Sequence, residues 1–157
     1  VTDSTAAIQN LSKLWMPLGK RVSIIGAGLV GLELAEFLIE RGRDVTVLDP
    51  GTHPGSELPI VRRWRVYDAV KNHGKLLMQA NVTKFDRKEV IWIDKKGEEY
   101  RTPADSVVLA MGAEADSTVA DQLQSITQTP VRRIGDCNDL GYIEGAMHSG
   151  HQAGRTI

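Results

Sequence analysis

Cysteine is nearly absent. The chain has 157 residues and a single thiol, Cys137. No disulfide can close within it, and a reducing, cytoplasmic setting is the expectation. Cys137 also has no CxxC partner, which excludes a redox-active dithiol in this chain and leaves a small, semi-buried thiol as the reading. Charge of one sign is lacking too. The formal net charge is -1, so there is no electrostatic footprint for nucleic acid or an anionic membrane. No apolar run approaches the roughly 20 residues that span a bilayer. Val1 to Ser4 carry neither a basic nor an apolar leader segment. Repeats, low-complexity tracts and long charged runs are missing. Trp15, Trp64 and Trp92 fall in three separate predicted elements and read as packing, not as a stacking platform.

The hydrophobic fraction of 41% and charged fraction of 25% suit a soluble globular chain. Its length allows one α/β domain with a proper core and not two full ones. Thr5–Trp15 is predicted as a short helix. Arg21–Ile25 is an apolar, β-branched run of the kind that forms a buried parallel strand. From Leu29 to Arg41, apolar residues recur at helical spacing, and Gly42 suits the helix stop. Asp44–Leu48 reads as a second strand, Thr52–Pro59 as a loop and Val61–Asn72 as a helix ending near Gly74. Lys75–Gln79 reads as a third strand. Val82–Phe85, Glu89–Ile93 and Glu99–Arg101 suggest a small antiparallel meander, and Ser106–Ala110 another buried strand. Residues 114–130 show no clear period, Val131–Ile134 reads as a last short strand, and Tyr142–Arg155 as a helix. This order argues an α/β fold, Rossmann-like and three-layered, with a parallel sheet and a small antiparallel meander.

The strongest motif is Gly26-Ala27-Gly28-Leu29-Val30-Gly31, between a predicted strand and a predicted helix. Gly26 permits the tight turn, Gly28 lets a pyrophosphate approach the backbone, and Gly31 allows close packing of helix on sheet. The helix N-terminus then faces the phosphate. Asp49, closing the second strand, is placed to accept hydrogen bonds from the adenosine ribose. A carboxylate there repels a 2′-phosphate. The residues after it, Pro50, Gly51, Thr52 and His53, bring no cation, and the next are Arg62, Arg63 and Arg65. NAD(H) is therefore expected over NADP(H).

Further motifs follow: Glu33 just past the third glycine, the strand ending in Ala110-Met111-Gly112, and Gly135-Asp136-Cys137 before a helix. Taken together with the glycine loop they resemble flavoproteins with two dinucleotide-binding domains. The closest likeness is to the C-terminal region of old-yellow-enzyme-like NADH:flavin oxidoreductases, the group of 2,4-dienoyl-CoA reductase and trimethylamine dehydrogenase. The resemblance covers nearly the whole chain. It implies an NAD(P)-binding domain with an N-terminal linker helix over residues 1–113, and the returning C-terminal part of a FAD domain over 114–157. Glu33 matches the acid typical of the glycine motif. Ala110-Met111-Gly112 is similar to the family's Ala-Thr-Gly crossover turn, with Met111 in place of Thr. Gly135-Asp136 is similar to the Gly-Asp pair that holds the flavin ribityl chain. The cofactor-binding candidates are therefore Gly26, Ala27, Gly28, Leu29, Val30, Gly31, Glu33, Asp49, Pro50, Ala110, Met111, Gly112, Gly135 and Asp136. The resemblance also implies that the remaining flavin-binding portions, with FAD, FMN and an iron–sulfur cluster, belong to a longer polypeptide, and that without them residues 114–157 dimerise, swap with a second copy or stay disordered. The chain's first residue is Val1 and its last, Ile157, follows a helical stretch directly, which fits a piece of such a protein.

No residue reads as a catalytic acid or base, and no set reads as a metal site. Tyr67 and Lys71 have the Tyr-x-x-x-Lys spacing of short-chain dehydrogenases, but lie too near the glycine loop. Asp136, Asn138 and Gly141 hint at a calcium loop, but Leu140 and Met147 occupy positions that need ligands. Cys137, His148 and His151 make an incomplete zinc set. Glu33 reads equally as a solvated helix acid or as a nicotinamide-side residue. Two other readings stay open: a nucleotide-sensing regulatory module of the same fold, and a glycine loop that binds FAD in place of NAD.

Overall fold

The computed structural model describes residues 16–56, 58–86 and 88–156; the predicted helix over 5–15 lies outside them, as does Trp15. The chain divides into two compact units, with the break between Gly112 and Ala113.

The first unit begins with β1 (Arg21–Ile25), α1 (Leu29–Glu40), β2 (Asp44–Asp49), α2 (Ile60–His73) and β3 (Lys75–Met78). A meander follows, β4 (Asn81–Phe85), β5 (Glu89–Ile93) and β6 (Glu99–Pro103), and then β7 (Ser106–Leu109). The four strands β3-β2-β1-β7 form one sheet, and every pairing in it is parallel. The meander is a separate antiparallel sheet, β4-β5-β6, with a register shift between Val82 and Lys84.

Alternation of side chains along each strand divides the core in two. Val22 and Ile24 of β1 and Val45 and Val47 of β2 join Leu32, Ala35, Leu38, Val66 and Val70 of the helices. Leu48 at the end of β2 joins Ala80, Val90 and Ala104 on the meander side, with Leu77, Val107 and Trp92 packed around them. The layers are thus helices, parallel sheet and meander, a Rossmann-like α/β FAD/NAD-binding fold. Fully burying a side chain such as Leu32 or Leu38 stabilises the fold by about 1.5–3 kcal/mol.

Gly42 ends α1 as the sequence predicts. Its φ is +73°, its N–H donates to Ile39 O at 2.8 Å, and Arg43 N–H donates to Leu38 O at 3.0 Å. That is the Schellman pattern, which needs a residue tolerant of the left-handed region. β3 stops one residue short of the predicted strand because Gln79 turns left-handed, φ +57°, and starts the crossing into the meander.

The second unit holds α3 (Thr118–Ile126), a short 3-10 turn (Gly135–Cys137) and α4 (Tyr142–Gly154). The strand expected over Val131–Ile134 does not form. Ile134 is extended, φ -137° and ψ 153°, but the segment has no ladder partner among the described residues, and a strand exists only where another pairs with it. None of the described residues of this unit is fully buried. Val119, Ile126, Ile143 and Met147 expose most of their apolar surface. Cys137 is exposed rather than semi-buried; its thiol donates to Ile134 O at 3.1 Å.

Candidate functional site

The carboxyl end of the parallel sheet positions the site. The chain leaves β1 for β2 on one side and returns to β1's other side with β7, so a crevice opens where the strand order reverses. Gly26 and Ala110 meet there. Gly26 N–H donates to Leu48 O at 2.8 Å, and Ala110 N–H donates to Ile25 O at 2.7 Å. Gly26 has φ +113°, and a Cβ on it would lie 2.1 Å from Ala110 O. Both facts demand glycine.

Gly31 is excluded from substitution differently. It sits on the first turns of α1, and its Cβ would lie 2.0 Å from Gly26 O and 3.4 Å from Ala110 Cβ. Its lack of a side chain lets α1 press onto the turn. Gly28 caps α1 with φ -75° and ψ -169°, angles open to any residue, so backbone strain does not explain glycine there. Its C=O accepts the first helical bond, from Leu32 N–H at 3.1 Å. Gly28 brings no side chain of its own to cap α1, and no acid occupies its first turn. A helix N-terminus of this kind suits an anion supplied from outside. Leu29 is half-buried, whereas Val30 is exposed.

Asp49 ends β2 with a half-buried carboxylate that is already engaged. Oδ2 accepts from Ala27 N–H at 2.7 Å, and Oδ1 accepts from Gly51 N–H at 2.6 Å. Each oxygen retains a further lone pair. Pro50 follows, exposed. On the other side of the crevice, Met111 is 73% exposed and Gly112 takes φ +99° with open space around its Cβ position.

Glu33 does not stand free in solvent. Arg62 of α2 bridges the helices: its Nε donates to Glu33 Oε1 at 3.2 Å and its Nη2 to Glu36 Oε2 at 2.7 Å. The hydrogen bond it donates to Glu36, and then the one to Glu33, raise the Arg62 guanidinium above its ordinary range. The sequence marks Arg62 only as a downstream cation and hides its bridging role, because its partners lie on another helix. It also hides Gly55, whose N–H donates to Ala27 O at 2.7 Å; the Pro54-Gly55 pair marked only a loop. Trp64 is 65% exposed and departs from the packing reading. Trp92 keeps to it, stacking on Tyr100 with ring centroids 4.7 Å apart and donating to Thr102 Oγ1 at 3.0 Å.

At the sheet's opposite end, Asp105 clamps β1 to the turn before β7. Arg21 N–H and Nη2 donate to its two oxygens at 2.9 and 2.5 Å. The side-chain bond from Arg21, followed by the backbone one, holds the Asp105 carboxyl down at about 2.

In the second unit, Gly135 takes φ +69° and donates from its N–H to Ser149 Oγ at 2.8 Å. Asp136 is exposed, and its Oδ1 accepts from Gly141 N–H at 3.1 Å at the start of α4. Among the described residues no three metal-ligating side chains gather in one place, and no helix is long and apolar enough to cross a membrane.

Comparison with known proteins agrees with this geometry. The family described as "Pyridine nucleotide-disulphide oxidoreductase" matches residues 2–141. An NADH oxidase of Thermoanaerobacter brockii is 31% identical over 145 residues, which are 88% of this chain and 21% of the oxidase. A cinnamate reductase of Clostridium sporogenes is 29% identical over 153 residues, 89% of this chain and 21% of the reductase. Among solved structures, a 2-naphthoyl-CoA reductase complex superimposes with TM-score 0.80 at 26% identity, covering 94% of this chain and 23% of that one. The chain thus spans about a fifth of the length of these relatives. They are oxidoreductases by name.

Proposed function

The chain belongs to the pyridine nucleotide-disulphide oxidoreductase family, and we propose that it is the nicotinamide-dinucleotide-binding portion of an NADH-dependent flavin oxidoreductase. One observation carries this reading. The glycine loop lies at the reversal of strand order, at the N-terminus of α1 and beside the Asp49 carboxylate. The residues fit such a cofactor: Gly26 and Gly31 keep the turn flat, Gly28 admits the pyrophosphate, and α1 offers its amide end. When bound, the nicotinamide supplies the hydride and a flavin receives it. This chain's residues bind and orient. Ala110, Met111 and Gly112 border the crevice on its β7 side.

Asp49 favours NADH, because its charge opposes a 2′-phosphate. The engagement of Arg62 with Glu33 and Glu36 supports the same preference, since that cation is already committed. Glu33 then acts by holding α1 against α2 rather than by touching the cofactor.

The second unit is the returning segment of a flavin domain, with Gly135 and Asp136 as half of a FAD site. Its exposed apolar side chains support a partner that covers them: the other flavin-binding portions of the same polypeptide. FMN and an iron–sulfur cluster belong to that remainder. The exposed Cys137 thiol fits a reducing cytoplasm.

The test is a titration of the purified chain with NADH and separately with NADPH, followed by cofactor fluorescence. Saturable NADH binding, tighter than NADPH binding and lost in Gly28→Val, is expected. Gly28 has backbone angles open to valine, so that loss would report a blocked approach to the loop. Equal affinity for the two cofactors would overturn the NADH preference. Uptake of neither would overturn nucleotide binding by this chain.

A further inference from the structure

Ala27, between Gly26 and Gly28, has both of its backbone polar groups engaged by the last residue of β2 and the segment that follows it. Its N–H donates to Asp49 Oδ2 at 2.7 Å, and its C=O accepts from Gly55 N–H at 2.7 Å. That segment is itself anchored. Asp49 Oδ1 accepts from Gly51 N–H at 2.6 Å, and Gly51 O accepts from Gln79 N–H at 3.0 Å. Gly55 is buried with φ +61°, and a Cβ on it would lie 2.8 Å from Leu32 Cδ1 and 3.0 Å from Leu58 Cδ1. Leu58 is buried in the helix-side core and donates its N–H to Gly55 O at 3.0 Å.

We propose that Asp49 and Gly55 latch the glycine loop into its nucleotide-receiving shape before any nucleotide arrives. Asp49 is then a positioning residue for the pyrophosphate turn, whatever bonds it also makes to a ribose. The proposal rests on the nucleotide-binding reading above. Its physical basis is the freedom of the loop: a glycine-rich turn has more backbone conformations to lose than any other, and fixing it in advance removes that cost from binding. The carboxylate is suited to this task because it offers an acceptor to each of two N–H groups. An Asn at position 49 would offer one acceptor and turn its NH2 toward the other N–H. Gly55 suits the other side because only glycine takes φ +61° without strain while lying so close to Leu32 and Leu58.

The test uses the full chain, with Asp49→Asn and Gly55→Ala, and two measurements. Hydrogen exchange without nucleotide reads the Ala27 amide. Calorimetry reads affinity for ADP and for 2′,3′-dideoxy-ADP, which has no ribose hydroxyl for Asp49 to hold. The latch predicts that both variants speed Ala27 exchange at least tenfold, while amides of Val22–Ile25 and Val45–Leu48 keep their protection. It also predicts that both weaken both nucleotides by about tenfold, the loss of one charge-assisted or buried hydrogen bond. Unchanged affinity of the variants for dideoxy-ADP overturns the proposal and leaves Asp49 as a ribose acceptor only. If the unsubstituted chain binds neither nucleotide, the functional reading fails by itself, and the Ala27 exchange rate alone upholds or overturns the latch.

Discussion

Replacing Gly31 with alanine puts one methyl group where the fold has no room. Its Cβ would lie 2.0 Å from Gly26 O and 3.0 Å from Gly26 C, both backbone atoms, whereas ordinary contact begins at 3.4 Å. A flexible side chain could swing aside, but a carbonyl fixed in a turn cannot. Either α1 withdraws from β1 by more than an ångström, or the Gly26 turn distorts. Overpacking of a tight core costs about 1–3 kcal/mol, and this contact with backbone belongs at the top of that range. Withdrawal of α1 also moves its N-terminus away from a bound pyrophosphate. Gly31→Ala should therefore lose about 3 kcal/mol of stability in urea unfolding, at unchanged m-value, and at least tenfold in NADH affinity. Gly97→Ala is the control. Its φ is +85° and nothing lies within 4 Å of a Cβ, so it carries only the left-handed backbone term of about 1–2 kcal/mol, with NADH affinity unchanged. If Gly31→Ala costs no more than Gly97→Ala and binds NADH normally, the close approach of α1 to the turn is not what Gly31 is for.

Other substitutions separate the remaining forces. Leu38→Ala, at a fully buried site on α1, should cost about 2–5 kcal/mol by cavity formation, read by the urea midpoint. Arg62→Ala leaves Glu36, only 13% exposed, without its main partner, and should cost about 1–3 kcal/mol; a double-mutant cycle with Glu36→Gln should recover most of that as coupling. Asp105 sits near 2 in the folded chain against an ordinary 3.8. Its stabilisation is present above the ordinary value and is lost as pH falls from about 3.8 towards 2. Asp105→Asn should flatten the stability profile across that window and leave it parallel to the parent at neutral pH.

Much of the first unit could be read from its residues. β1, α1 and β2 declare themselves through β-branched, mostly apolar runs, helical spacing and a terminal glycine, since burial on both faces of a parallel sheet leaves little choice of residue. The glycine loop was legible because Gly26 and Gly31 answer local constraints that only glycine meets. What could not be read lies in contacts between distant segments. Arg62 meets Glu33 and Glu36 across two helices, and Gly55 meets Ala27 across a loop, and neither spacing leaves a periodic trace. Val131–Ile134 misled for the opposite reason. Its β-branched residues favour extended backbone, but a strand needs a neighbour, and the described chain offers none. α3 carries Val119, Leu123 and Ile126 at helical spacing, but over only nine residues, Thr118–Ile126, the period is too short to stand out.

The function depends on where a dinucleotide binds. An isotope-labelled chain titrated with NADH and followed amide by amide tests that directly. Shifts confined to Ala27–Gly31, Asp49–Gly51 and Ala110–Gly112 are the predicted result. Shifts centred on Gly135–Cys137, or none at saturating NADH, would contradict it.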